Sequence, residues 1–109
     1  MDLVCRYGGE EFAIILPGTH LKEALRAAQR AHAAVEQVSY RVEGADLRVS
    51  VSIGVAEVLP DESVEAFIKR GDDALYSAKQ AGRNCIYYHD GNMGSFRHET
   101  ADEHQMCMV

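Results

Sequence analysis

A pair of glycines lies between two short apolar segments near the start of this 109-residue chain. The flanking segments, residues 3–7 and 12–16, are partly β-branched, which favours strands. Glycine accepts the positive φ angles that the tightest hairpin turns require. The sequence therefore predicts that the two segments pair as an antiparallel hairpin, with Gly8-Gly9 as a two-residue turn.

Two longer segments carry apolar residues at the spacing of an amphipathic helix. Residues 21–35 follow Thr19, which is the predicted N-cap of the first helix. Residues 64–78 follow Ser63, the predicted N-cap of the second helix, and Gly82 is its predicted C-terminal stop. Each helix is expected to bury one face.

Alternating apolar and polar residues predict further strands. Residues 38–42 and 47–55 show this period on either side of the turn 43–46, and residues 85–88 form a short final strand. Gly54 lies inside the longer strand, which indicates either a bulge or a backbone that something else approaches closely. The order ββαββαβ predicts an α+β fold in which a mixed sheet carries its helices on one face.

The composition bounds the classes of protein to which the chain can belong. Residues 1–88 are expected to form one domain, and residues 89–109 a polar tail without periodicity that we expect to be disordered. The formal net charge of −6 disfavours binding to a nucleic-acid polymer. The absence of a membrane-length apolar run and of a signal-peptide pattern predicts a cytoplasmic protein.

The residues best suited to chemistry follow the glycine pair. A turn without Cβ atoms lets a ribose or phosphate lie against the backbone, and Glu10 and Glu11 supply the oxygen ligands that Mg²⁺ prefers. Because successive strand residues face opposite sides, one of these carboxylates is expected to be the primary ligand. Taken alone, the same pattern is also typical of a solvated hairpin, so the two interpretations remain open at this point.

Residues 6–12 closely resemble the signature of the diguanylate cyclase family, which is named GGDEF or GGEEF after these letters. The resemblance continues through residues 52–55, 74–79 and 82–84, so that it spans residues 2–88. It implies an α+β fold of the nucleotide-cyclase, ferredoxin-like type. It also implies an enzyme that condenses two GTP molecules into cyclic di-GMP, with Mg²⁺ or Mn²⁺ as cofactor and a head-to-head homodimer needed for catalysis.

The resemblance also implies roles for individual residues. Glu10 takes the catalytic and metal-binding position, and Glu11 the second metal position. The substrate-binding positions fall on Gly8, Gly9, Lys79 and Arg83, of which the two cations match those that hold the terminal phosphates. Cations at a helix end also complement the helix dipole without any ligand, but their four-residue spacing allows them to share one face.

An inhibitory product site is a further implication of the resemblance. Asp2 takes the Asp position of the family's Arg-x-x-Asp motif, whose Arg would precede Met1. Arg30 falls where the family places a secondary Arg for the same ligand, although an exposed Arg on a helix needs no ligand to explain it.

The resemblance covers the C-terminal portion of the domain and lacks the family's first strand and helices. We therefore expect a truncated chain that is inactive alone, or one that pairs its exposed strand edges with a second copy. The alternatives are a non-catalytic module that binds GTP or cyclic di-GMP, and a structural sandwich whose Gly-Gly turn binds nothing.

Overall fold

The computed structural model of the chain describes residues 3–6, 12–92 and 94–99. In chain order the elements are β1 (Leu3–Arg6), β2 (Phe12–Ile15), α1 (Leu21–Glu36), β3 (Ser39–Val42), β4 (Ala45–Arg48), β5 (Ile53–Val55), α2 (Val64–Gln80), β6 (Ile86–His89) and β7 (Ser95–Arg97). Strands β1 and β2 form one antiparallel ribbon and β3 and β4 another. In the three-stranded sheet, β6 pairs parallel with β5 and antiparallel with β7. The predicted α+β class with a mixed sheet is confirmed.

Helix α1 packs against one face of the three-stranded sheet. Leu25 and Ala28 of α1 form the core cluster with Val55 of β5 and Ile86 of β6. All four are buried, and Leu25 and Ala28 lie on the apolar stripe that the helical spacing predicted. Burial of such side chains contributes roughly 1.5–3 kcal/mol each for the larger ones, so this cluster holds α1 on the sheet.

Helix α2 packs against the opposite face. Successive strand residues point to opposite sides, so Gly54 faces away from the α1 cluster to which its neighbour Val55 belongs. A Cβ atom at Gly54 would lie closer than 3.0 Å to the backbone of Gly71 and Leu75 in α2. The predicted close approach at Gly54 is confirmed. The prediction that both helices share one face is wrong, because periodicity identifies a buried side chain without identifying its partner.

The helix starts differ in how their first amides are satisfied. Ser63 caps α2 as predicted, since its Oγ accepts a hydrogen bond of 3.1 Å from the Ala66 amide. At α1 the N-cap is His20, whose side chain makes no capping bond, and Thr19 instead donates to the Pro17 carbonyl. Thr19 is therefore not the cap that the sequence predicted.

A carboxylate from the segment after β5 caps α1 in its place. Glu57 Oε1 accepts from the Leu21 amide at 2.9 Å, and Glu57 Oε2 lies 3.0 Å from His20 Nδ1. The hydrogen bond with His20 is the main cause that lowers the pKa of Glu57, and the same bond raises the pKa of His20. An interaction distant in sequence thus replaces the local cap.

Glu57 also contacts α2, through its main chain. Its carbonyl accepts a hydrogen bond from the guanidinium of Arg70, a buried residue of α2. The same guanidinium donates two bonds of 2.7 Å to Glu62, whose carboxylate also accepts from the Leu59 amide. The bonds from Arg70 are the main reason why the pKa of Glu62 falls to about 2. Glu57 therefore connects the start of α1 with Arg70 in α2.

The predicted strand 47–55 is divided in two. Strand β4 ends at Arg48 and pairs with β3, whereas β5 begins at Ile53 and pairs with β6. The Ile53 amide donates to the Cys85 carbonyl at 3.0 Å, which starts the β5–β6 ladder. Because both halves continue the same alternating pattern, the sequence does not show that their pairing partners differ.

The β3–β4 ribbon is exposed along its whole length. Every residue of both strands is exposed, including Tyr40 and Leu47, which lie opposite one another. Its turn contains Glu43 and Gly44 alone, with φ of 50° and 83°, so it is shorter than the predicted four residues. Two consecutive positive φ angles are typical of the primed hairpin turn.

The folded part extends beyond residue 88. Strand β7 lies within the segment 89–109 that the sequence assigned to a tail, and it pairs with β6. The rings of Tyr88 and Phe96 lie 5.9 Å apart at this pairing. Three residues are too few to show a period of two, which explains why the strand was missed. Residues 100–109 lie outside the described part of the chain. Neither α1 nor α2 combines the length and the apolar character that a membrane crossing requires.

Candidate functional site

The two arms of the predicted N-terminal hairpin pair as expected. Strands β1 and β2 are antiparallel, with Leu3 opposite Ile15 and Arg6 opposite Phe12. The residues that join them lie outside the described part of the chain. Five predicted site residues are among the undescribed ones: Asp2, Gly8, Gly9, Glu10 and Glu11. Their assignments stay predictions.

The register of these strands fixes how many residues lie between them. Arg6 pairs with Phe12, so five residues, 7–11, lie between these two paired positions. The two-residue turn predicted at Gly8-Gly9 falls among them, outside the described residues, and stays a prediction.

The two predicted phosphate-binding cations lie at the C-terminal end of α2. Lys79 is in the last turn, and Arg83 follows the helix, which ends at Gln80. The relation between residues four apart on a helix therefore does not extend to this pair, contrary to the expectation from their spacing. Lys79 lies in a shallow groove of about 310 Å³ along α2, beside the exposed Tyr76 and the acidic residue Asp72.

Arg83 lies in a segment of unusual backbone conformation. Gly82, Arg83 and Asn84 all have positive φ angles, of 110°, 66° and 53°. The Arg83 amide donates to the Ala78 carbonyl at 3.0 Å, which closes the end of α2. Gly82 is the first left-handed residue after the helix, so the predicted C-terminal stop is confirmed.

Asn84 holds this segment against two other parts of the fold. Its amide donates to Ser52 Oγ at 3.1 Å, and its side-chain Oδ1 lies 2.8 Å from His32 Nε2 in α1. His32 lies within the predicted helix 21–35, and its contact with Asn84 was not predicted. The two residues are 52 positions apart, and neither residue type gives a local sign of the contact.

The predicted product site is represented by one of its two residues. Arg30 is exposed on α1, where it lines a shallow groove with Arg26, Gln29 and Ala33. Asp2 lies outside the described residues, so the predicted pair of Asp2 and Arg30 stays a prediction.

Comparison with known proteins decides the family. The chain matches the family described as Diguanylate cyclase, GGDEF domain, over residues 1–85. It belongs to the GGDEF domain family. The match includes the N-terminal hairpin, Lys79 and Arg83, so the resemblance stated from the sequence is confirmed.

Relatives of this GGDEF domain include three bacterial proteins. Response regulator PleD of Caulobacter vibrioides is 44% identical over 89 residues, which are 79% of this chain and 20% of PleD. Diguanylate cyclase DgcM of Escherichia coli (strain K12) is 49% identical over 85 residues, 78% of this chain and 20% of DgcM. Diguanylate cyclase A of Treponema denticola is 39% identical over 93 residues, 84% of this chain and 25% of the relative. The chain thus spans a fifth to a quarter of these relatives.

The metal ligands of this GGDEF domain are predicted on the hairpin. Within residues 3–6, 12–92 and 94–99, no three side chains of His, Cys, Asp or Glu come together as a metal site. Glu10 and Glu11 are outside those ranges. As a donor set, two adjacent carboxylates fit Mg²⁺ or Mn²⁺, which favour hard oxygen ligands.

Proposed function

We propose that this GGDEF domain acts in the condensation of two GTP molecules into cyclic di-GMP, a bacterial second messenger. The match to the diguanylate cyclase GGDEF family over residues 1–85 is the observation that carries the proposal. In this reaction the 3′-hydroxyl oxygen of one GTP bonds to the α-phosphorus of the other. The bond to the β-phosphate oxygen breaks, pyrophosphate leaves and the hydroxyl proton is lost. The same exchange in the opposite direction closes the ring.

The hairpin residues would hold the metal and the nucleotide. Glu10 and Glu11 offer carboxylate oxygens to Mg²⁺ or Mn²⁺, and Gly8 and Gly9 leave space for the ribose and phosphates. When bound, the metal supplies neutralisation of phosphate charge. Glu10 is the proposed catalytic carboxylate.

Lys79 and Arg83 would hold the terminal phosphates. Phosphoryl transfer depends mainly on positioning and on neutralisation of charge on the phosphate oxygens. Two cations at one end of α2 supply that charge locally, although the chain carries a net charge of −6. The reaction is expected in the cytoplasm, where GTP is available.

We further propose that this chain alone binds Mg²⁺-GTP and turns it over poorly. The carboxylates lie between β1 and β2 in the sequence, whereas Lys79 is in the last turn of α2 and Arg83 follows that helix. Helix α2 packs on β5. Among the described strands, β1–β2 does not hydrogen-bond to the β5–β6–β7 sheet. Without that connection the two halves of the site are not held in one geometry, and misplacement by even ~1 Å is costly in catalysis. A homodimer, in which each protomer holds one GTP, is the proposed active form. The same observation favours the second candidate function, a non-catalytic GTP or cyclic di-GMP binding module.

Calorimetric titration with Mg²⁺-GTP tests the assignment of these residues. We expect Glu10→Ala, Lys79→Ala and Arg83→Ala each to weaken binding by roughly tenfold or more, because each removes a charged contact. Lys22→Ala and Arg41→Ala are matched controls, since they remove exposed cations from α1 and β3, and they should leave binding unchanged. Equal affinity in all five variants would contradict the proposed site.

Two further measurements separate the candidate functions. Cyclic di-GMP formation from GTP identifies a cyclase, and GTP binding without product identifies a binding module. Titration with cyclic di-GMP, compared between the wild type and Arg30→Ala, tests the product site of Asp2 and Arg30. If no guanine nucleotide raises the melting temperature, the chain is a structural module that binds nothing.

A further inference from the structure

The backbone around Arg83 adopts a left-handed conformation. Arg83 and Asn84 both have positive φ. Asparagine adopts this conformation more readily than most L-residues, whereas at Arg83 it costs steric contact between the Cβ atom and the backbone. Such a conformation persists where surrounding contacts determine it. The contacts of this segment therefore fix the backbone position from which the Arg83 side chain extends.

Three hydrogen bonds supply those contacts. One is the bond from the Arg83 amide to Ala78, within the end of α2. The other two are made by Asn84, with Ser52 through its main chain and with His32 through its side chain. Since a carboxamide oxygen accepts, His32 Nε2 donates the proton in the second bond. The His32 contact is the one that ties the segment to α1.

The side chain of His32 is well placed to fix Asn84. It is 17% exposed, and its Nδ1 lies 3.7 Å from Glu36 Oε1, one turn further along α1. That distance is too long for a hydrogen bond, so the bond to Asn84 is the directional one. Helix α1 is itself held on the sheet by the cluster around Leu25. Through His32 and α1, the core of the domain therefore holds Asn84 in place.

We propose that His32 is a positioning residue for nucleotide binding: through Asn84 it fixes the left-handed segment from which Arg83 reaches the terminal phosphates of GTP. This inference rests on the proposed role of Arg83. His32 itself touches no nucleotide in this scheme. Its contribution is pre-organisation, because a cation already held in place loses less conformational freedom when the ligand binds.

The test is a double-mutant cycle for Mg²⁺-GTP affinity with the full 109-residue chain. His32→Ala should weaken binding roughly 3- to 10-fold, the effect expected for one lost hydrogen bond. In an Arg83→Ala background the same substitution should have no further effect, because the group it positions is gone. His32→Gln, which keeps a donor at a similar reach, should restore most of the affinity. Glu36→Gln is the control and should bind as the wild type does.

Each outcome of the cycle decides the inference. Wild-type affinity in His32→Ala, with weakened binding in Arg83→Ala, overturns the positioning role and leaves the proposed function intact. Equal losses from His32→Ala in both backgrounds show a general structural effect and also overturn it. Unchanged binding in Arg83→Ala contradicts the proposed function itself and the inference with it.

A second variant keeps the test decisive if His32→Ala does not fold. Ser52→Ala removes the other contact of Asn84 and leaves α1 unaltered. It should weaken Mg²⁺-GTP binding in the wild-type background and have no effect beside Arg83→Ala. Wild-type binding by Ser52→Ala would contradict the proposal that a fixed left-handed segment positions Arg83. Wild-type binding by Asn84→Ala overturns the inference.

Discussion

The backbone of Gly54 in β5 lies directly against the carbonyl oxygen of Gly71 in α2. A Cβ atom at Gly54 would come closer than 3.0 Å to that oxygen and to the backbone of Leu75. By contrast, a Cβ atom at Gly71 would meet nothing within 4 Å. Of the two glycines at this contact, only Gly54 is therefore required by the close approach of the two backbones.

The first prediction compares alanine at these two positions. Gly54→Ala should destabilise the fold by about 3 kcal/mol, because helix and strand backbones must separate. Gly71→Ala should stabilise it by roughly 0.5–1 kcal/mol, because alanine is the better residue in a helix interior. Urea unfolding of both variants measures the difference. Similar stabilities in the two variants would show that the β5–α2 contact is looser than described.

The second prediction concerns acid unfolding and the pair of Glu62 and Arg70. The pKa of Glu62 is lowered from 4.5 to about 2, chiefly by its hydrogen bonds from Arg70. A carboxylate with a lowered pKa adds stability that is present above 4.5 and lost as the pH falls through the folded-state value. The free energy of unfolding of the wild type should exceed that of Glu62→Gln, and this difference should decrease as the pH falls from 4.5 to about 2.

Urea unfolding at a series of pH values measures this difference in free energy of unfolding. Glu65→Gln is the matched control, since it removes an exposed acid from the first turn of α2, and its difference from the wild type should stay small throughout. If the difference between the wild type and Glu62→Gln does not change with pH, the Glu62 carboxylate is not held by Arg70.

The third prediction concerns the pair of His20 and Glu57. The His20 pKa is raised above 6.5, first by the hydrogen bond with Glu57 and least by the charge of Glu23. In an NMR titration Glu57→Gln should return the His20 midpoint toward 6.5, whereas Glu23→Gln should lower it only slightly. Equal effects of the two variants would contradict the hydrogen bond between His20 and Glu57.

The same pair predicts a pH window for its own contribution to stability. A raised His20 pKa gives stability that is present below 6.5 and lost as the pH rises through the folded-state value. A lowered Glu57 pKa gives stability that is present above 4.5 and lost on acidification. Both contributions are therefore present between pH 4.5 and 6.5, and they are modest because His20 is largely exposed.

The fourth prediction concerns the turn of the β3–β4 ribbon. Glu43 has a φ of 50° and precedes Gly44, and asparagine is the residue that this turn type favours there. Glu43→Asn should stabilise the ribbon by about 0.5–1 kcal/mol, measured as slower hydrogen exchange of the β3–β4 amides. Asp46→Asn changes the same charge at a position outside the turn and should leave exchange unaltered.

The sequence predicts those parts of the fold that depend on residues close together in the chain. Both helices and the Ser63 cap were predicted, because periodicity and capping act within one or two turns. The cap that Glu57 supplies to Leu21, the split between β4 and β5, and the packing of the helices on opposite faces depend on partners distant in the chain. No local pattern encodes such partners.

The candidate site divides in the same way. The resemblance identified the family and assigned Lys79 and Arg83, which the structure places at one end of α2. The predicted stop at Gly82 put Arg83 beyond the helix, but no sequence signal indicated that Arg83 and Asn84 would both be left-handed. The contact between His32 and Asn84 joins α1 to the segment after α2, and no sequence motif predicts it.

Strand β5 is covered by a helix on each side, whereas both strands of the β3–β4 ribbon face solvent. Residues 39–48 can consequently diverge, or be exchanged as a cassette between related domains, without disturbing what surrounds Val55. Residues 53–55 have no such latitude, since a larger side chain on either face displaces a helix. In a library of random variants, those that still fold should carry their substitutions in the ribbon and not at these three positions.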